Sequence, residues 1–134
     1  MNIHPKQRAA CLAASVFLSI ALAACAAMGG SSMPAKVSDG AMTNAAGMTL
    51  YTFDKDTAGS GKSVCNGPCI GIWPAFNAPA DAKAAGDWSV ATRDDGTRQW
   101  AYKGKPLYTF ARDAKAGDRT GDGFNNNIWL VARP

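Results

Sequence analysis

Residues 47–56 read GMTLYTFDKD and residues 104–113 read GKPLYTFARD. The two stretches share a glycine, the block Leu-Tyr-Thr-Phe and a final Asp, and these recur 57 residues apart. A repeat this close in a short chain indicates that one β unit was duplicated. A tryptophan follows each copy, as Trp73 and Trp129, so the duplication continues well beyond the shared block.

Each copy carries the pattern Tyr-x-Phe-x-x-Asp, and its members are Tyr51, Phe53 and Asp56, then Tyr108, Phe110 and Asp113. Residues two apart on a strand share a face, so each Tyr and Phe pair projects to one side of its strand. We expect the rings to fill a small core and each Asp to cap the turn that ends its strand. Two alternatives remain: an exposed aromatic platform for sugar or peptidoglycan, or a hydrolase if the two carboxyl groups lie about 5 to 9 Å apart in a cleft.

The surrounding sequence predicts strands. Expected hairpins pair residues 41–44 with 48–53, 88–93 with 97–102, and 99–102 with 106–110, and a last strand covers residues 128–131. The chain has 14 Gly and 7 Pro, and no Glu. We therefore predict a mainly β fold, a small antiparallel sheet domain over residues 36–134 that is built from two related hairpin repeats near 41–76 and 98–132.

Residues 1–24 have the features of a secretory leader. Lys6 and Arg8 precede a charge-free run over residues 9–24, which is shorter than the roughly 20 apolar residues of a stable membrane span. Residues 22–25 read LAAC and resemble the lipobox of bacterial lipoproteins, in which the peptidase cuts before the cysteine and that cysteine carries lipid. An ordinary signal peptide cut near Ala24 is the alternative.

Cleavage at this position would make a lipidated Cys25 the first residue, followed by a tether that ends at residue 35. Residues 26–35 read AAMGGSSMPA, a small and uncharged composition typical of a flexible linker. Two or more acyl chains give stable membrane anchoring. Ala26, by similarity to sorted lipoproteins, predicts the outer membrane facing the periplasm.

Composition excludes several function classes. The single His is His4, inside the leader, and there is no Glu. The mature chain therefore lacks the usual neutral-pH general base and the commonest zinc, copper and haem ligand, so we expect no enzyme activity and no cofactor. Without the leader, 12 basic residues face 10 acidic ones in no long basic cluster, so we expect no nucleic-acid partner.

Cys65 and Cys69 enclose Asn-Gly-Pro. In an oxidising compartment we expect them to form a structural disulfide, and the Asn-Gly-Pro sequence favours a tight turn over a helix. Thiol redox chemistry or thiolate metal binding is the alternative.

Two further features could bind metal. The loop after the second copy carries Asp118, Asp122 and Asn125, which could ligate calcium, although the spacing differs from an EF-hand and a turn-rich connector is the default. Copper(I) could bind thioether sulfurs, and the candidates are Met28, Met33, Met42 and Met48. We assign no metal site to either set.

Several motifs in the same order resemble the predicted bacterial lipoproteins with a Yx(FWY)xxD repeat, described as secreted repeats of unknown function. They are the GMTLYTFDKD block, the Cys pair followed by Trp73-Pro74, residues 100–108 (WAYKGKPLY), and the GDRTGDG loop with Trp129. The resemblance implies a lipid-anchored or secreted extracytoplasmic protein, and it assigns no catalytic residue. We predict a non-catalytic envelope module that contacts the membrane and has an envelope protein or glycan as its candidate partner. Periplasmic calcium or copper handling, or thiol redox, is the alternative.

Overall fold

The fold is described from a computed structural model, which describes residues 33–134. The predicted leader, the lipidation site Cys25 and the tether up to residue 32 lie outside the described residues. The strands are β1 (Lys36–Ser38), β2 (Ala41–Thr43), β3 (Tyr51–Phe53), β4 (Trp88–Thr92), β5 (Arg98–Tyr102), β6 (Lys105–Tyr108) and β7 (Trp129–Val131). One right-handed helix, α1, covers Pro68–Ile72.

All strand pairs in the described residues are antiparallel. Strands β1 and β2 form a two-stranded sheet, and the other five form a sheet in the order β4-β5-β6-β3-β7. The predicted mainly β fold with two repeats is confirmed, and so are the hairpins β4-β5 and β5-β6 with their turns at 94–96 and 103–104.

The two copies exchange strand partners. In the centre of the sheet the two motif strands lie side by side, with Tyr51 opposite Tyr108. The other edge of β3 pairs with β7, which carries the tryptophan of the second copy, and Phe53 lies opposite Trp129. Strand β6 correspondingly bonds to the segment after Trp73 of the first copy, where the Thr109 amide donates to the Pro74 carbonyl at 2.9 Å. Each motif strand therefore pairs with the tryptophan segment of the other copy.

One predicted hairpin forms only in part. We expected residues 41–44 to pair with 48–53. Thr43 does bridge to Thr49, the Asn44 amide donates to the Met48 carbonyl at 3.0 Å, and the Leu50 amide donates to the Met42 carbonyl at 2.9 Å. Residues 51–53 pair elsewhere, and β2 also pairs with β1. The reason is that both edges of β3 are occupied by β6 and β7. Local turn signals favoured a contact between neighbours along the chain, whereas the sheet is completed by pairing across the repeat.

The two faces of the main sheet carry separate buried clusters. Alternation along β3 and β6 sends Tyr51, Phe53 and Tyr108 to one face, and Leu50 and Leu107 to the other. We call the first the motif face; the loops after each copy cover it. The second face holds a cluster that includes Leu50, Leu107 and Trp88.

The copies differ in the segment before each tryptophan. In the first copy this segment is the right-handed helix α1, with Pro68 in its first turn. In the second copy it is the turn Phe124–Asn127, where Asn125, Asn126 and Asn127 all have positive φ. Asn tolerates this left-handed conformation better than most residues, which explains three in succession. Gly121 replaces Cys65 at the equivalent position of the second copy, 56 residues later.

Gly121 lies where the two copies pack against each other, so a substitution there tests this packing. A Cβ at this position would lie 2.6 Å from Cη2 of Trp73 and 3.0 Å from Cδ1 of Phe110, inside the rigid aromatic core. We therefore expect Gly121→Ala to lower the free energy of unfolding by about 1 to 3 kcal/mol, the usual range for overpacking. Urea denaturation measures the change.

The matched control is Gly71→Ala within α1, where a Cβ would meet nothing within 4 Å. Alanine is the better helix former by up to about 1 kcal/mol, so this variant should be neutral or slightly more stable. Equal losses in the two variants would contradict the packing described above.

Candidate functional site

The aromatic residues of the repeat are core residues. Tyr51 and Tyr108 are fully buried, and Phe53 and Phe110 are 8% and 3% exposed. Four rings form a stack across the copies: Phe53 on Trp129 at 4.2 Å, Trp129 on Trp73 at 3.9 Å, and Trp73 on Phe110 at 4.2 Å between ring centroids. An exposed aromatic platform made of these residues is therefore excluded.

The hydroxyl groups of the two motif tyrosines cross to the opposite copy. The Tyr51 hydroxyl donates to Oδ2 of Asp113 at 2.7 Å, and the Tyr108 hydroxyl donates to Oδ2 of Asp56. Both carboxylates are buried, at 8% and 5% exposure. Each aspartate of the repeat is therefore bound by the tyrosine of the other copy, and the pattern Tyr-x-Phe-x-x-Asp is satisfied only when both copies are folded together.

The second oxygen of each aspartate holds the loop that follows it. Oδ1 of Asp56 accepts the Val64 amide at 2.8 Å, and Oδ1 of Asp113 accepts the Thr120 amide at 3.0 Å. We predicted that each Asp caps the turn ending its own strand. Each side chain instead holds a longer loop with one oxygen and accepts a tyrosine hydroxyl of the other copy with the other. The spacing of residues in the sequence does not reveal this difference.

Arg93 completes the network around Asp56. This side chain is 4% exposed, and its Nη1 donates to Ser63 Oγ at 2.9 Å and to Gln99 Oε1 at 2.8 Å. Its Nη2 donates to the Cys65 carbonyl and to Asn66 Oδ1. A guanidinium can be buried in this way only because acceptors surround it.

The proton arrangement of this network follows from counting donors. The single proton of Tyr108 goes to Asp56, so Ser63, whose Oγ lies 2.6 Å from the Tyr108 hydroxyl oxygen, must donate to it. At the other pair, Tyr51 with Asp113, the Gly121 amide donates to the Tyr51 hydroxyl instead. The Tyr108–Asp56 pair thus has a cation near it, and the Tyr51–Asp113 pair has a backbone amide.

Burial shifts the pKa values of this network. Desolvation raises the pKa of the Asp56 carboxyl, while hydrogen bonds from Tyr108 and the Val64 amide and the charge of Arg93 oppose that rise. Desolvation also raises the pKa of the Tyr51 and Tyr108 phenols well above their usual value, and the neighbouring aspartates raise it further. The two phenols therefore stay neutral and act as hydrogen-bond donors at ordinary pH.

Sequence reasoning missed Arg93 and Gln99. Strand alternation offered a signal, because Arg93 lies two residues beyond the buried Ala91 and so shares its inward face. We did not use that signal, since a charged residue beside the turn Asp94-Asp95-Gly96 is ordinarily exposed.

The predicted disulfide between Cys65 and Cys69 is confirmed. Cys65 is fully buried in the motif-face cluster, and Cys69 is partly buried against it. The expectation of a turn rather than a helix is only half right: the chain turns at Gly67, with φ of 57°, and then begins α1 at Pro68. Proline is suited to the first turn of a helix, where its missing N–H has no role.

The side chains of the predicted ion loop are engaged elsewhere. Oδ2 of Asp118 accepts the Ala114 amide at 2.8 Å, and its Oδ1 is 2.6 Å from Lys115 Nζ. Oδ1 of Asp122 accepts the Val131 amide at 3.1 Å, and Asn125 lies in the left-handed turn. Residues 33–134 contain no group of three or more His, Cys, Asp or Glu side chains placed to hold a metal ion.

The methionines within residues 33–134 differ in exposure. Met42 is 3% exposed within the second-face cluster, whereas Met33 is 65% exposed. Met48 is partly buried. Met28 lies outside the described residues. The structure therefore gives no support to a shared thioether site.

A shallow groove of about 360 Å³ lies beside the turn between β4 and β5. Its only charged lining residue is Arg98, and that guanidinium donates to the carbonyl groups of Pro79, Ala80 and Ala82. The groove contains no carboxylate, thiol or free cation that would point to a reaction.

Comparison with known proteins gives one match. A family model described as a secreted repeat of unknown function matches residues 34–77 and again residues 89–133. No curated protein and no solved structure matches the chain. Within residues 33–134, no helix has the length and apolar character needed to cross a membrane.

The crossed hydrogen bonds predict a specific pattern of energetic coupling. In a double-mutant cycle, Tyr51→Phe and Asp113→Asn should couple by about 0.5 to 3 kcal/mol, because the two side chains share one buried hydrogen bond. The cycle of Tyr51→Phe with Asp56→Asn pairs residues of the same copy and should show the smaller coupling. Urea denaturation of the variants provides the free energies, and a larger coupling within one copy would refute the crossed arrangement.

The raised pKa of the two tyrosines predicts alkaline destabilisation. Tyrosine in an unfolded chain loses its proton near pH 10, while folded Tyr51 and Tyr108 keep theirs to higher pH. The native state then binds more protons than the unfolded state, so stability is complete below pH 10 and falls as pH rises. The free energy of unfolding should fall by about 1.4 kcal/mol per pH unit for each tyrosine that stays protonated.

The control compares variants over the same alkaline range. Tyr108→Phe and Tyr51→Phe should each reduce the slope, and the double variant should reduce it further. A slope that does not change in Tyr108→Phe would show that this phenol is not the group that titrates.

Proposed function

The chain belongs to the family of secreted repeats of unknown function, and from this membership we propose that it is a lipid-anchored, non-catalytic module of the bacterial cell envelope. In this proposal Cys25 carries the lipid and the two interlocked copies act as a scaffold. The scaffold holds a surface for an envelope partner or a glycan close to the membrane. We further propose the outer membrane, facing the periplasm, as its location.

The main support for a non-catalytic role is that both repeat carboxylates are already hydrogen-bonded inside the protein. Asp56 and Asp113 are buried, and each accepts a tyrosine hydroxyl and a backbone amide. A general acid or base must reach its substrate within hydrogen-bond distance. Carboxylates with these partners stabilise the fold instead, which argues against the hydrolase alternative.

The alternatives based on thiols or metals have weaker support. Cys65 is fully buried and bonded to Cys69, and reactive cysteines are typically exposed and in electropositive surroundings. The carboxylates of the ion loop are engaged with backbone amides and with a lysine. No described contact therefore favours metal handling or thiol exchange over a scaffold.

The lipid anchor rests on residues 22–25, LAAC, after the apolar leader. Labelling cells with radioactive palmitate tests it, and Cys25→Ser should abolish both incorporation of the label and recovery of the protein with membranes. Cys11→Ser changes a cysteine within the same leader and should keep both. Palmitate in the Cys25→Ser protein, or its absence from the wild type, would refute the anchor.

Ala26 provides a separate test of location. If sorting follows the residue after the lipidated cysteine, Ala26→Asp should move the labelled protein from the outer to the inner membrane fraction on a sucrose gradient. Wild-type protein found in the inner membrane would refute the proposed location and leave the lipid anchor unaffected.

A further inference from the structure

The second face of the main sheet carries aromatic side chains that the motif face does not use. They are Phe76, Trp88, Trp100 and Tyr102, and we call them the aromatic face. Trp88 lies directly opposite Tyr102 across the β4-β5 hairpin, with ring centroids 5.1 Å apart, and Trp100 packs on Trp88 at 5.9 Å. Unlike the motif rings, Phe76, Trp100 and Tyr102 remain partly exposed.

Two polar features occur on this face: one indole N–H without a partner among residues 33–134, and a lysine ammonium beside a tyrosine ring. Trp88 is 4% exposed, and within the described chain its indole Nε1 has no hydrogen-bond partner. The ammonium of the exposed Lys103 lies 5.3 Å from the centre of the Tyr102 ring. Tryptophan and tyrosine have an apolar body and a polar tip, and they are enriched where water meets the hydrocarbon of a bilayer.

The chain enters the domain at this same face. Ala35 is 8% exposed and belongs to the cluster that contains Trp88. Ala35 lies ten positions after Cys25 in the sequence. A small-residue linker of that length spans about 17 Å on average and at most about 35 Å. This length is compatible with contact between the aromatic face and the bilayer when Cys25 carries lipid.

Charge at this edge fits an anionic headgroup. Lys36 follows Ala35 directly, and Lys103 lies beside Tyr102; both are exposed. Asp87 is also nearby, because its backbone carbonyl accepts the Lys103 amide. Lys105 lies opposite Tyr102 in the β5-β6 pair. These lysines give a modest attraction to phosphate groups, which acts within a Debye length of the surface.

We propose that the aromatic face docks on the interfacial region of the phospholipid bilayer in which the protein is anchored. This proposal depends on the lipid anchor proposed above. A few partly exposed rings bind membranes weakly by themselves, but tethering turns docking into an intramolecular step with a high effective concentration. The domain would then lie on the membrane with its motif face, and the loops that cover it, directed away from the lipid.

Quenching by brominated lipid tests the orientation. The acylated mature protein is reconstituted in vesicles of phosphatidylethanolamine and phosphatidylglycerol, with or without bromine on the upper acyl chain. Trp73 and Trp129 are buried on the motif face, and Trp88 is only 4% exposed, so quenching should come mainly from Trp100. We expect brominated lipid to reduce wild-type tryptophan emission, and Trp100→Phe to remove most of that reduction.

The matched control moves the reporter to the opposite face. Phe124 is 38% exposed and packs on Trp73 and Phe110. In the double variant Trp100→Phe, Phe124→Trp, the new tryptophan should be quenched by iodide in water and not by brominated lipid. Quenching of that reporter by brominated lipid, at the level seen for wild type, would overturn the proposed orientation.

The remaining outcomes are also decisive. In one outcome, Trp100 is protected from iodide but is not quenched by brominated lipid. That result would mean that a second copy or a glycan covers the aromatic face, and it would refute docking on lipid. Mass spectrometry of the N-terminus is run on the same sample. Acylated protein without quenching refutes this inference alone, whereas protein without acyl chains refutes the proposed anchor.

Discussion

The structure depends on a hydrogen bond between the tyrosine of one repeat and the aspartate of the other. A carboxylate buried without partners is strongly destabilising, and a buried phenol also needs a partner. Tyr51 with Asp113, and Tyr108 with Asp56, satisfy both requirements only across the boundary between the copies. Neither copy can bury its own motif alone, so the duplication gives one core instead of two small ones.

Aromatic packing and strand pairing also join one copy to the other. Phe53 of the first copy stacks on Trp129 of the second, Trp73 of the first stacks on Phe110 of the second, and the two tryptophans stack on each other. The segments around this shared centre differ. A buried arginine and a disulfide lie near the Tyr108–Asp56 pair, whereas a left-handed asparagine turn and a glycine against Trp73 lie near the Tyr51–Asp113 pair. Two different loops therefore support the same arrangement of rings.

Sequence reasoning recovered what depends on local pattern. The duplicated block, the strand alternation, the Asp-Gly turn and the Cys65–Cys69 spacing were sufficient for the mainly β fold and the disulfide. The failures concern contacts between distant residues. The hairpin predicted for residues 41–53 formed only in part, because β3 found its partners across the repeat. The partner of each aspartate lies 52 or 62 residues away, and no spacing rule predicts such a contact. Arg93 was missed because its burial requires acceptors from two other segments.

The motif residues are used inside the core, so a scaffold of the kind we propose would act through other surfaces, and we propose the aromatic face as one of them. Native-state hydrogen exchange at increasing urea tests the interlocked core most directly. The Asp54 amide donates to Ile128 and the Ala111 amide donates to Ile72, so each crosses between the copies. If the copies share one core, both amides should exchange only through global unfolding, with the same free energy. Exchange of one copy at a clearly lower free energy than the other would contradict the account.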